Sequence, residues 1–125
     1  MKRLLLAFAL LFTIPFNASC VKEIPIEVVV SGSHCNWKKP VENAILAHTY
    51  KIKIEPDPNY ELYLGSEVEE KVEGIVVKKP GGLDITGLLG PEDYNEETYI
   101  LTIPGRFVSE KLIIIAEAQE GPGPE

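Results

Sequence analysis

The stretch Tyr99–Ala118, YILTIPGRFVSEKLIIIAEA, constrains the fold of this chain more than any other. Tyr99, Leu101 and Ile103 alternate with Thr98, Ile100 and Thr102, the period of a strand with one buried face. Pro104-Gly105 breaks that run. A second strand is expected from Leu112 to Ala118, where Leu112-Ile113-Ile114-Ile115 is apolar on both faces. Such a strand needs cover on both sides, which places it centrally in a sheet or sandwich.

The rest of the chain supplies shorter strands separated by Gly and Pro. Val21–Val30 directs Ile24, Ile26, Val28 and Val30 to one face, and Pro25 suits it to a sheet edge. Ser31–Asn43 reads as a long polar loop holding Cys35 and the only tryptophan, Trp37. A strand over Ile45–Glu55 would put Leu46, His48, Tyr50, Ile52 and Ile54 on one face and Thr49, Lys51, Lys53 and Glu55 on the other. Pro56-Asp57-Pro58-Asn59 is a turn, and Tyr60–Leu64 a short strand. Gly74 interrupts the next strand, Val68–Lys79, and signals a bulge or a close backbone approach. Leu83, Ile85 and Leu89 read as a brief strand before an acidic loop that begins at Gly90-Pro91. No amphipathic helix and no internal repeat is evident. About seven short strands imply an all-β, antiparallel β-sandwich of immunoglobulin-like or fibronectin-III-like architecture. Both cysteines precede Trp37, so the Cys–Trp–Cys core of antibody domains is not expected.

The N-terminus reads as an export signal. Met1-Lys2-Arg3 is basic, Leu4–Phe16 is a 13-residue apolar run with only Thr13 polar, and Asn17-Ala18-Ser19 precedes a cleavage point. The run is shorter than the roughly 20 residues a membrane-spanning helix needs. The expected division is a signal peptide over 1–19, a sandwich domain over 20–119 and a flexible tail over 120–125. Loss of Lys2 and Arg3 takes the net charge from −7 to −9, with 10 basic against 19 acidic side chains. An acidic chain whose only lysine doublets are Lys38-Lys39 and Lys78-Lys79 is not expected to bind nucleic acid.

Cys20 follows Ala18-Ser19 at the end of the apolar run, which resembles the bacterial lipobox. The resemblance implies a lipid on Cys20 at a new N-terminus, although Asn17 stands where that motif has an aliphatic residue. Three outcomes stay open: acylation of Cys20, a Cys20–Cys35 disulfide, or removal of Cys20 with the leader. A disulfide across that 15-residue separation would stabilise the fold by about 3 kcal/mol. Membrane attachment is expected only through the lipid.

Few residues carry chemistry. His34, Cys35 and His48 are the candidate soft-metal ligands, but their spacing matches no structural metal site. His48 is expected at the end of a buried strand face. Asp93, Asn95 and Glu97 alternate as in the first half of a calcium loop, without the glycine and distal glutamate that complete one. A solvated turn guarding a sheet edge is the simpler reading. No GxSxG elbow, phosphate-binding glycine loop or dinucleotide fingerprint occurs, so neither an enzyme nor a cofactor is expected. Trp37, Tyr63 and Tyr94 fall in or beside loops, where exposed rings could contact a ligand or partner. Trp37 is also expected to close one end of the sandwich.

These features point to an exported, non-enzymatic module of the cell envelope, periplasmic or at the cell surface, with a binding or structural role. The expected partner is an envelope protein or a carbohydrate. A secreted metal-handling protein and a subunit of a surface filament or adhesin are the alternatives.

Overall fold

Strict alternation of apolar and polar residues survives in the structure wherever two or more neighbouring strands share it. The computed structural model describes residues 23–39 and 43–121, and these form an all-β fold of several sheets. The expected signal peptide and Cys20 lie outside the described residues. The strands are β1 (Pro25–Ile26), β2 (Val28–Ser33), β3 (Cys35–Lys38), β4 (Ala44–Ile45), β5 (Tyr50–Pro56), β6 (Tyr60–Glu61) and β7 (Ser66–Val68). They continue with β8 (Lys71–Lys79), β9 (Leu83–Asp84), β10 (Tyr94–Asn95), β11 (Ile100–Ile103), β12 (Leu112–Glu117) and β13 (Gln119–Glu120).

Two sheets carry the fold. One has the order β2-β12-β8-β7, with β9 also paired to β8; the other has the order β10-β11-β5-β3. Tyr50, Ile52 and Ile54 of β5, with Leu101 and Ile103 of β11, enter the same buried cluster as Leu112, Ile114 and Ala116 of β12 and Ile75 and Val77 of β8. Side chains of adjacent strand residues point to opposite faces, so both sheets turn one face to this core. Two small ladders, β1-β4 and β6-β13, complete the fold.

The expectation of a wholly antiparallel arrangement is corrected at one pairing. β2 runs parallel to β12, from Val28 opposite Leu112 to Ser33 opposite Glu117. A parallel neighbour needs a long crossover, and residues 34–111 lie between these two strands. Gly32 makes the approach possible. A Cβ there would lie 1.9 Å from the carbonyl oxygen of Ala116.

The polar segment Ser31–Asn43, expected as a loop, is also corrected. Its first half extends β2 and then forms β3, which pairs antiparallel with β5 from Cys35 opposite Pro56 to Lys38 opposite Lys53. Only His34 separates the two strands, with φ of 60°, and at this kink the chain leaves one sheet for the other. Edge strands of this kind join the sheets of a sandwich at a corner.

Other boundaries shift for local reasons. The strand expected from Ile45 begins at Tyr50, because Ala47 takes φ of 66° and the His48 amide donates to Ile45 in a turn. Tyr99 likewise stands outside β11 with φ of 64°. Glu120, expected in the tail, pairs with Tyr60, and the Gly121 amide donates to the Asn59 carbonyl at 2.8 Å. Gly74 is the close approach expected of it: φ is 81°, and an added Cβ would lie 2.5 Å from the Tyr63 carbonyl oxygen.

Candidate functional site

The outward face of the β10-β11-β5-β3 sheet concentrates positive charge. Ile52 and Ile54 point inward, so Lys51, Lys53 and Glu55 point out. Register brings Lys38 of β3 directly opposite Lys53, and Ile100 of β11 opposite Lys53 on its other side. Directly opposed Cβ atoms in an antiparallel pair stand about 5 Å apart, and next-but-one residues on a strand about 7 Å apart. Lys38, Lys51 and Lys53 thus form a tight triangle of like charge.

Glu55 shares this face, but no carboxylate forms an ion pair with the three lysines among the described residues. The ion pairs found there join Lys78 to Glu67, Lys79 to Glu110 and Lys111 to Glu27. Lys39, beside the triangle, donates to the Val28 carbonyl at 3.2 Å. Lys38, Lys39, Lys51, Ile52, Lys53 and Ile100 line an open depression of about 360 Å³. Its floor is apolar, because lysine stems lie along Ile100 while their ammonium groups reach water. Trp37 borders a second depression with Asn36, Lys38, Lys53 and Glu55, and 37% of its surface is exposed. The β3–β5 register sets Trp37 opposite Ile54, which turns it to the core side of the edge strand, away from Lys38.

A second cluster sits at the corner between β2 and β3. Ser33 donates to the Glu117 carboxylate, and the Cys35 thiol donates to the Ala116 carbonyl at 3.4 Å. Burial, aided by the charges of Asp57 and Glu117, pushes the Cys35 thiol up to about 11, so it stays protonated and poorly nucleophilic at neutral pH. The His34 ring stacks on Tyr60 with centroids 4.4 Å apart. Each polar group has a structural partner, which describes a pinned corner.

The three candidate metal ligands do not come together. Cys35 lies opposite Pro56, the last residue of β5, whereas His48 precedes Tyr50, the first. A seven-residue strand between them is about 20 Å long. His48 is also exposed in its turn, which corrects its expected place at the end of a buried face. No group of three His, Cys, Asp or Glu side chains converges on a common point among the described residues. The calcium-like loop is used otherwise. Asp93 accepts from the Gly90 amide at 2.8 Å, and Asn95 accepts from the Glu97 and Thr98 amides at 2.7 and 3.1 Å.

Of the two tyrosines expected as contacts, Tyr94 is buried, and its hydroxyl donates to the Ile54 carbonyl at 2.7 Å. The correction has a simple cause: β10 pairs with β11, and the pairing turns Tyr94 toward the core beside Leu101. Tyr63 is half-buried, and the edge of its ring lies against Gly74. Cys35 has no disulfide partner among the described residues, and Cys20, its proposed partner, lies outside them.

The chain matches no protein-family model, no curated protein and no solved structure. Sequence reasoning missed the lysine triangle. The alternation of Lys51 and Lys53 was visible, but Lys38 had been placed in a loop, and only the β3–β5 register sets it beside them.

Proposed function

We propose that this chain is an exported, non-enzymatic binding module of the cell envelope, built as an immunoglobulin-like or fibronectin-III-like sandwich. Two sheets over one core, joined at a corner by the β2–β3 kink, support the architecture. The basic–apolar–small N-terminal pattern supports export, to the periplasm or cell surface, with a lipid anchor if Cys20 is acylated. One observation carries the binding role. A well-packed scaffold holds Lys38, Lys51 and Lys53 together on an open face with no carboxylate partner among the described residues. Like charges opposed across strands destabilise a sheet, so the arrangement calls for an anionic partner.

The alternatives have less support. The metal reading meets His48 and Cys35 at opposite ends of β5. The filament reading requires a strand to add to an edge, and β3, the edge of its sheet, carries lysine, which discourages such pairing.

Intact mass of the chain recovered from the envelope fraction tests export. The expected mass lacks the leader, with an acyl adduct on Cys20, a Cys20–Cys35 disulfide, or Cys20 removed along with the leader. The mass of unprocessed Met1–Glu125, 13.8 kDa, would overturn it.

A further inference from the structure

We infer that the outward face of the β2-β12-β8 sheet docks on a second copy of this chain, the two β12 strands lying antiparallel across a twofold axis. This goes beyond the binding reading above and leaves the lysine face of each copy open.

β12 sets the face. Leu112, Ile114 and Ala116 point into the core, so Ile113, Ile115 and Glu117 share the outer side, with Lys111 just before them on the same side. Register adds Val29 of β2 beside Ile113 and Val76 of β8 beside Ile115. Val29 is 37% exposed, and Ile113 and Ile115 are half-buried. β2 and β12 run parallel, and parallel strands are ordinarily covered on both faces. Here the core covers one face, and no layer covers the other among the described residues.

Charge decides what fits that open face. The outer row of β12 runs from a cation, Lys111, through two isoleucines to an anion, Glu117. A twofold axis across the strands sets Ile113 against the partner's Ile115 and brings Lys111 to the partner's Glu117. Rows aligned in the same direction would instead stack lysine on lysine and glutamate on glutamate. Neither group is locked within its own chain. The Lys111–Glu27 pair is exposed, at 3.7 Å, and Ser33 donates to Glu117 without neutralising it. Along the β8 border, Lys78 is tied to Glu67 at 2.8 Å and adds no unpaired charge. The opposite sheet cannot pair with itself in this way, because Lys38, Lys51 and Lys53 would meet like charge. With 12 basic and 19 acidic side chains, copies of this chain repel at long range, so self-contact belongs where opposite charges flank apolar residues. The face is narrow, which sets the expected dissociation constant on the order of 50 µM.

Sedimentation velocity of the purified soluble chain, from about 1 to 500 µM, is expected to show its mass rising from monomer toward dimer. Ile113→Glu is expected to keep the chain monomeric with an unchanged circular dichroism spectrum. The same result from Val29→Glu, at the more exposed position, separates lost docking from a damaged fold. Lys111→Glu and Glu117→Lys should each weaken association about tenfold, and the two combined should restore it. Lys53→Glu, on the other sheet, should leave association unchanged. A monomer at the highest concentration would overturn the inference and leave the face to an unlike protein or a lipid surface. Dimers that survive both Ile113→Glu and Val29→Glu would overturn the placement. A double charge exchange that associates no better than either single change would overturn the antiparallel alignment.

Discussion

The two sheets share one core but present opposite surfaces to water. On the β10-β11-β5-β3 sheet the outward face carries lysines around a single isoleucine, Ile100. On the β2-β12-β8 sheet the outward face is apolar: Val29 is 37% exposed, Ile113 and Ile115 are half-buried, and Val76 is buried although it stands outside the core cluster. Charge near it comes from Lys78, paired to Glu67, from the exposed Lys111–Glu27 pair, and from Glu117 at the end of β12, which accepts from Ser33. The expectation that β12 is central is right within the plane of its sheet, where β2 and β8 flank it. Above that plane no second layer covers Ile113 and Ile115 among the described residues. The comparison teaches that one sheet face is set by packing and tolerates apolar residues, whereas the other keeps a charge arrangement that packing does not need.

The largest effect should separate the two sides of β12. Ile114→Ala, at a fully buried inward position, is expected to cost about 3 kcal/mol, and Ile113→Ala about 1 kcal/mol, read from urea unfolding. Equal losses would mean that the outward face is packed as tightly as the core. Gly32→Ala comes next, at about 2 kcal/mol, because a methyl group would push β2 off the Ala116 carbonyl. If thermal unfolding shows no loss, the parallel β2–β12 contact is looser than described.

The inner side of the lysine-bearing sheet offers a finer contrast. Tyr94→Phe removes the hydrogen bond to Ile54 and should cost about 1 kcal/mol. Tyr50→Phe removes a buried hydroxyl that has no partner among the described residues, and should be neutral or slightly stabilising at pH 7. Burial pushes Tyr50 up to about 12 and raises Tyr94 further. The folded values exceed the unfolded value near 10, so the neutral phenols contribute fully below pH 10 and that contribution drains away as pH rises through the folded values. Denaturant midpoints measured from pH 9 to 12 should fall, and Tyr50→Phe should flatten the fall. An unchanged slope would place the Tyr50 hydroxyl in water.

The smallest effect concerns the lysine face. Lys53→Gln should raise stability by about 0.3 kcal/mol at low salt, by removing repulsion from Lys38, and the gain should vanish at high salt. A loss in place of the gain would mean that Lys53 has a partner among residues not described.

Much of the fold was legible in local pattern. Alternation in β5 and β11 named Ile52, Ile54, Leu101 and Ile103 as inward, the apolar run Leu112–Ile115 marked β12 without telling its two faces apart, and Gly74 marked a close approach. Of the candidate site, only the run Lys51-Ile52-Lys53 was visible. Cys-Asn-Trp-Lys alternates apolar with polar residues, but the run is only four residues long within a polar stretch, and nothing in it names β5 as its partner.

What the sequence by itself determined is which residues must leave water: burial acts on each side chain, and a period of two is enough to report it. Register and order among strands were decided only by the tertiary structure, since they depend on contacts between residues far apart in the chain. Lys38 reaches Lys53, Val28 reaches Leu112 and Tyr94 reaches Ile54 across such separations. The charged face, the parallel pair and the buried tyrosine all follow from that pairing.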